Sequence, residues 1–368
     1  MSSQHSTITI TQLACLLSAY SIGSAIVFIP NPLTAAAGND AWLCVIFAYG
    51  FGMLVLACVL YLHSKHNSQN LIAYCRALIG NPLTLLVSIP IVCMLFFAIS
   101  AINSSIGDFF TTVMMDQTPP YVFHSIGMIL AALTSRAGIK IAARMFLLLL
   151  VILILFSITV ILLAIPVYHP SYLLPFFDHG FKPVTHGFFI AAGFPFGEVC
   201  LFSMLLPFVS RSSQQELNKK LYLAFSFTGF MLFISTISAT MAFGPAAGFF
   251  NYSLYRLAIE IRIAELFQRV EAVIGIALIL GSYMKATLLL MILNYVFIEL
   301  LRIKDDKILL YPLALICIFL SATMFKSPAD FQEQVYLIWP FSVLAIGCML
   351  IFSLTIITWI KNKISIDK

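Results

Sequence analysis

The chain is written in long apolar runs separated by short polar connections. A helix crossing about 30 Å of hydrocarbon needs roughly 20 mostly apolar residues. Runs of that length predict spans near residues 8–30, 41–62, 82–106, 121–137, 142–167, 184–209, 218–243, 270–299, 308–325 and 335–360. Ten spans return the C-terminus to the side of the N-terminus. The connection 244–269 differs from the rest. Its stretch YSLYRLAIEIRIAELFQRVE mixes apolar residues with Arg256, Glu260, Arg262 and Glu265, which predicts an amphipathic helix lying at the membrane interface.

Composition closes off the alternatives. Of 368 residues, 61% are hydrophobic and 10% charged, where a soluble chain is roughly a quarter charged. With so little polar surface the chain is an all-α integral membrane protein. The net charge of +5 is scattered between apolar runs, so there is no basic footprint for a nucleic acid. Eight cysteines form no C-x-x-C pair and sit mostly inside apolar runs, where they read as packing residues. His63 and His66 have no third ligand nearby and read as a solvated helix end. No metal site, cofactor or enzyme is expected, because paired carboxylates, metal-spaced histidines and a nucleophile elbow are all missing from the pattern. The first residues, MSSQHSTITITQ, lack a basic n-region, so no cleavable signal peptide is expected. Trp42, Trp339 and Trp359 flank spans, as interfacial anchors do.

Charge orients the bundle. With the N-terminus inside, only Lys182, Arg256, Arg262, Arg269 and Lys326 fall outside, and Lys285 falls within a span. The remaining fourteen of the 20 Lys and Arg are inside, which places both termini in the cytoplasm by the positive-inside rule.

Two spans are interrupted. The first reads SAYSIGSAIVFIP, with Gly23-Ser24 midway and Pro30 at its end. The sixth reads FFIAAGFPFGEVCLFSMLLP, with Gly193, Pro195 and Gly197 within five residues. Proline removes a helix donor and glycine releases the backbone, so both spans are predicted to be discontinuous in mid-membrane. Such backbone must line a protein-enclosed cavity. Spans one and six each open a five-helix half, and paired breaks point to a binding site between inverted repeats, here 8–167 and 184–360 of a single domain. Small residues at the first break also serve close helix packing. Glu198 stands at the sixth-span break and Lys285 midway along the eighth span. An intramembrane charge faces a cavity as a rule. Lys285 either places its ammonium near a ligand, occupies a cation site or releases a proton; or the two charges neutralise each other, or Glu198 caps the half-helix.

Four stretches, GIKIAARM (138–145), LLPFFDHGFKPVTHG (173–187), GFPFGEVCLFSMLLPFV (193–209) and FQRVEAVIGIALILGSYMKATL (267–288), resemble the B subunits of bacterial spore germinant receptors. These belong to the amino acid–polyamine–organocation superfamily. The resemblance covers essentially the whole chain. It implies two inverted five-helix repeats and a pocket between spans one, three, six and eight. Its wall would hold Gly23, Ser24, Ala25, Ser100, Ala101, Gly193 and Phe194, with Lys285 and Glu198 as coupling charges. The family's first break often reads G-x-G, whereas this chain has Gly23-Ser24-Ala25; its outer loop often carries Tyr-Pro, where this chain has Tyr252-Ser253. The resemblance further implies residence in the spore inner membrane, an A subunit with a large soluble domain and a lipoprotein C subunit as partners, and a small nutrient germinant, an amino acid by default. The alternative is a proton-coupled amino acid permease built on the same site. Uptake of labelled amino acid into proteoliposomes separates the two.

Overall fold

The computed structural model describes residues 7–66, 68–178, 180–209, 213–261, 270–305 and 307–366. Among these, eight helices are long and apolar enough to cross a membrane: Ile10–Phe28, Pro30–Lys65, Asn81–Met114, Ile139–Leu163, Lys182–Phe208, Gln214–Phe249, Glu271–Leu301 and Ala329–Ile364. They are the first, second, third, fifth, sixth, seventh, eighth and tenth spans of the sequence pattern. The fourth is the 18-residue helix Pro120–Ala137, which carries His124, Thr134, Ser135 and Arg136. The ninth, Leu310–Thr323, is apolar but has only 14 residues. At about 1.5 Å per residue it reaches roughly 21 Å, short of the hydrocarbon thickness. Asn103 of the third span ties these two helices in, its Nδ2 donating to the His124 carbonyl and to Ser321 Oγ, while Ser104 Oγ donates to the Ser321 carbonyl. Inter-helix hydrogen bonds of this kind hold spans together where lipid gives no hydrophobic drive.

The packing repeats itself with a shift of five. Span one packs on seven as six packs on two; span three packs on nine as four packs on eight. Two packs on seven, three on eight and four on nine. Chain entry is fixed by a capping box, in which Thr9 Oγ1 accepts the Gln12 N–H and Gln12 Oε1 accepts the Thr9 N–H. The Ile8 N–H donates to the Phe208 carbonyl, so the start of span one and the end of span six meet at the same end of the bundle. The helix Leu71–Ile79 packs there too, against spans eight and ten, with Lys361 Nζ donating to the Leu78 carbonyl. The two ends of the described chain therefore lie on one side.

Three details depart from the sequence reading. The segment read as interfacial does contain a helix, Ser253–Glu260, with an Arg256–Glu260 ion pair. Its apolar face, with Leu254, Leu257 and Ala258 buried, turns onto span eight and the Ala25–Phe28 piece of span one. Arg262 and Glu265 lie outside the described residues. The His63–His66 helix end is packed: His63 is buried, and His66 hydrogen-bonds Thr358 Oγ1 at 3.0 Å while stacking on Tyr74. The tenth span begins at Pro328, seven residues before the predicted start at 335, and passes through wide turns at Gln334–Ile338 and Val343–Cys348.

Candidate functional site

The first-span break is a two-residue turn. The helix Ile10–Ile22 ends at Gly23, where φ is 28° and ψ −124°, and helix resumes over Ala25–Phe28. A positive φ of this kind favours glycine. The crossing requires glycine on span eight as well, since a Cβ on Gly281 would sit on the Gly23 carbonyl. The unwound stretch is confined to Gly23 and Ser24, where the backbone packs directly on span eight.

The sixth-span break is larger. The helix Lys182–Ala191 gives way to a wide turn over Ala192–Phe196, with Phe194 extended at φ −131°, ψ 118° and a cis peptide to Pro195. Helix resumes at Val199–Phe202 and tightens to a 3₁₀ turn over Ser203–Phe208. A Cβ on Gly193 would overlap Pro340 of span ten, so the break is pressed against that span.

Directly beyond the break, Glu198 turns inward. Lys285 Nζ donates to its Oε2 at 2.5 Å, and Trp339 Nε1 donates to its Oε1 at 2.9 Å. Tyr20 Oη donates to the Glu198 carbonyl at 3.3 Å. The Lys285 ammonium lies 4.2 Å from the Phe194 ring centre and 5.5 Å from that of Tyr20, both within cation–π range. Lys285 is 0% exposed and Glu198 2%. An isolated charge at that depth is expensive, and each here is compensated by the other. The sequence left open whether these charges meet; they do.

The pair faces a partly open cavity. From the sequence-predicted residues, the cavity wall takes Ser24, Ala101, Phe194, Glu198 and Lys285. Gly23 packs on Gly281 and Gly193 on Pro340, each serving a helix crossing. Ala25 and Ser100 are buried beside lining residues without entering the wall themselves. The rest of the wall is Phe28, Phe97, Ala98, Ile102, Ser105, Phe331, Val335, Tyr336 and Trp339. Phe331, Val335, Tyr336 and Trp339 belong to span ten, which the sequence reading did not place in the site. Trp339, read there as an interfacial anchor, is 4% exposed and stacks on Phe97 with ring centres 5.7 Å apart. Trp359 is exposed, as an anchor would be.

A family model described as spore germination protein matches residues 7–329. The chain belongs to that family. Spore germination protein KB of Bacillus subtilis (strain 168) is 23% identical to it over 321 residues, 86% of this chain and 85% of that protein. This spore germination protein shares its fold with solved membrane transporters. The structure of MhsT in complex with L-phenylalanine matches with a TM-score of 0.73 at 14% identity, over 92% of this chain and 87% of that one. A Na⁺-coupled sialic acid symporter in a substrate-bound outward-open state matches at 0.69 and 12% identity, over 94% and 79%. Mhp1, a nucleobase-cation-symport-1 family transporter in a closed conformation with bromovinylhydantoin bound, matches at 0.68 and 12%, over 94% and 78%. The family member is therefore a multi-pass membrane protein of the ten-helix repeat fold with spans one and six discontinuous.

Chemically, the site offers one buried cation, one buried anion and a wall that is otherwise mostly aromatic and aliphatic. What it can do is bind, orient and exclude water.

Proposed function

We propose that this chain is the germinant-sensing membrane subunit of a spore germination receptor, binding a small nutrient in the cavity at mid-membrane. The observation that carries the reading is the Glu198–Lys285 pair, set at the sixth-span break and turned into a partly open cavity. Occupancy of a cavity walled by spans one, three, six, eight and ten biases how those spans pack, and a ligand shifts a two-state bundle only through such differential contacts. The signal then passes to an A subunit with a large soluble domain and a lipoprotein C subunit, in the spore inner membrane with both termini cytoplasmic. The distribution of Lys and Arg supports that orientation, and the shared side of the two chain ends is compatible with it. The two halves act as repeats 8–167 and 184–360.

Germination of spores carrying Lys285→Met, with all three subunits checked by immunoblot, tests this. The expected result is assembled receptor with response to one germinant class lost. Wild-type sensitivity with Lys285 removed overturns the assignment of this site.

A further inference from the structure

We propose that the chain carries a second binding site, a groove between the last turns of spans two and ten that holds one anionic phospholipid. The proposal stands apart from the mid-membrane cavity and from whatever that cavity binds. Ala57, Cys58 and Tyr61 of span two form one wall, and Thr355, Ile356 and Trp359 of span ten form the other. Both helices run toward the same end of the bundle, so the two walls lie side by side. They are tied together along their length: Phe51 packs edge-on against Phe352 with ring centres 6.1 Å apart, and His66 hydrogen-bonds Thr358 Oγ1. Thr355 Oγ1 is committed to the Ile351 carbonyl at 2.7 Å. The walls therefore present mainly aliphatic carbon and two aromatic rings, which suit an acyl chain and leave a polar ligand few partners.

The mouth of the groove is cationic. Lys65 stands one turn beyond Tyr61, its Nζ 6.0 Å from that ring centre, and Lys363 one turn beyond Trp359 at 5.6 Å. Lys361 lies between them in height, its Nζ on the Leu78 carbonyl. All three lysines are exposed, and among the described residues none forms an ion pair. Glu299, the carboxylate at this end of span eight, is already held by Arg76 and Asn70. Interfacial Tyr and Trp sit at headgroup level, and lysines one turn further out reach the lipid phosphates. A groove that is apolar below and basic above, between two spans, matches an anionic lipid in both its parts. A zwitterionic headgroup would bring its own cation against the three lysines, and free phosphate would leave the groove unfilled. Span ten also carries Trp339, which holds Glu198, so a lipid seated here braces a helix that lines the cavity.

The test is native mass spectrometry of the purified full chain in detergent, titrated with phosphatidylglycerol, phosphatidylcholine or glycerol 3-phosphate. One phosphatidylglycerol is expected to stay on each chain, phosphatidylcholine to bind at least about tenfold more weakly, and glycerol 3-phosphate not to compete. Lys65→Gln/Lys363→Gln keeps the groove and removes charge from exposed positions, where the fold does not depend on it. It is expected to abolish the preference for phosphatidylglycerol. Ala57→Phe fills the groove and keeps the lysines, and is expected to weaken phosphatidylglycerol at least about tenfold. Lys140→Gln, on span five, is the control and is expected to bind as the parent chain does. Equal retention of the two lipids, or unchanged phosphatidylglycerol binding in either groove variant, overturns the proposal. So does an equal loss in Lys140→Gln, which would mean attraction to the whole basic surface, or displacement by glycerol 3-phosphate, which would mean a site for phosphate alone.

Discussion

Glu198 is held by three buried hydrogen bonds. Both its carboxylate oxygens have buried donors and its own carbonyl takes the Tyr20 hydroxyl. Trp339→Phe keeps most of the ring that stacks on Phe97 but leaves Oε1 without its donor. A buried acceptor left unmatched costs about 1–3 kcal/mol, so thermal unfolding of the purified protein should begin at lower temperature. An unchanged midpoint would mean that the indole contact is incidental. The residue-scale part of the site was half legible in the sequence. Lys285 and Glu198 stand out because charge is rare inside apolar runs, and rarity alone marks a cavity-facing position. Trp339 does not stand out. A tryptophan near the start of an apolar run reads alike at a membrane surface and in a protein interior. Only a partner 141 residues away in sequence separates the two.

At the scale of elements, the Gly193-Pro195-Gly197 cluster announced the sixth-span break because three helix-disfavouring residues in five leave no other solution. The first-span break was announced less fully. Gly23-Ser24 marks where the helix turns, but the two-residue extent of the turn is set by Gly281 on another helix. That crossing makes a sharp prediction. Gly281→Ala places a methyl on the Gly23 carbonyl, and backbone on both sides cannot give way. Overpacking of this kind costs typically 1–3 kcal/mol, so the variant should unfold at lower temperature. Gly50→Ala, on a helix position with nothing within 4 Å of the added carbon, is the control and should be neutral or slightly stabilising. Equal behaviour of the two would contradict a backbone crossing at Gly23. Span ten was underestimated for a related reason. Its helix begins at Pro328, so Trp339 lies about eleven residues, roughly 16 Å, inside it and not at its rim. Asp330, Gln332, Glu333 and Gln334 make the first turns polar, and an apolar-run criterion starts the span too late.

Over the whole molecule, hydropathy alone gave the membrane class, and the order of the spans gave the two halves. What it could not give is which spans meet around the cavity, since that depends on contacts between elements far apart in the chain. The broken spans one and six supply its Ser24, Phe28, Phe194 and Glu198; spans three, eight and ten supply the rest. On the proposed function, a nutrient bound there would touch five spans at once, and through them could bias the packing of a bundle it does not cross. The most direct test fills that cavity without disturbing either charge. Ala101→Phe adds an aromatic ring to the third-span wall of the cavity that Glu198 and Lys285 also line. Spores carrying it, with receptor subunits at normal level, are predicted to need at least about tenfold more germinant for half-maximal response. Response at wild-type germinant concentration, with the ring in place, would show that the germinant is sensed elsewhere.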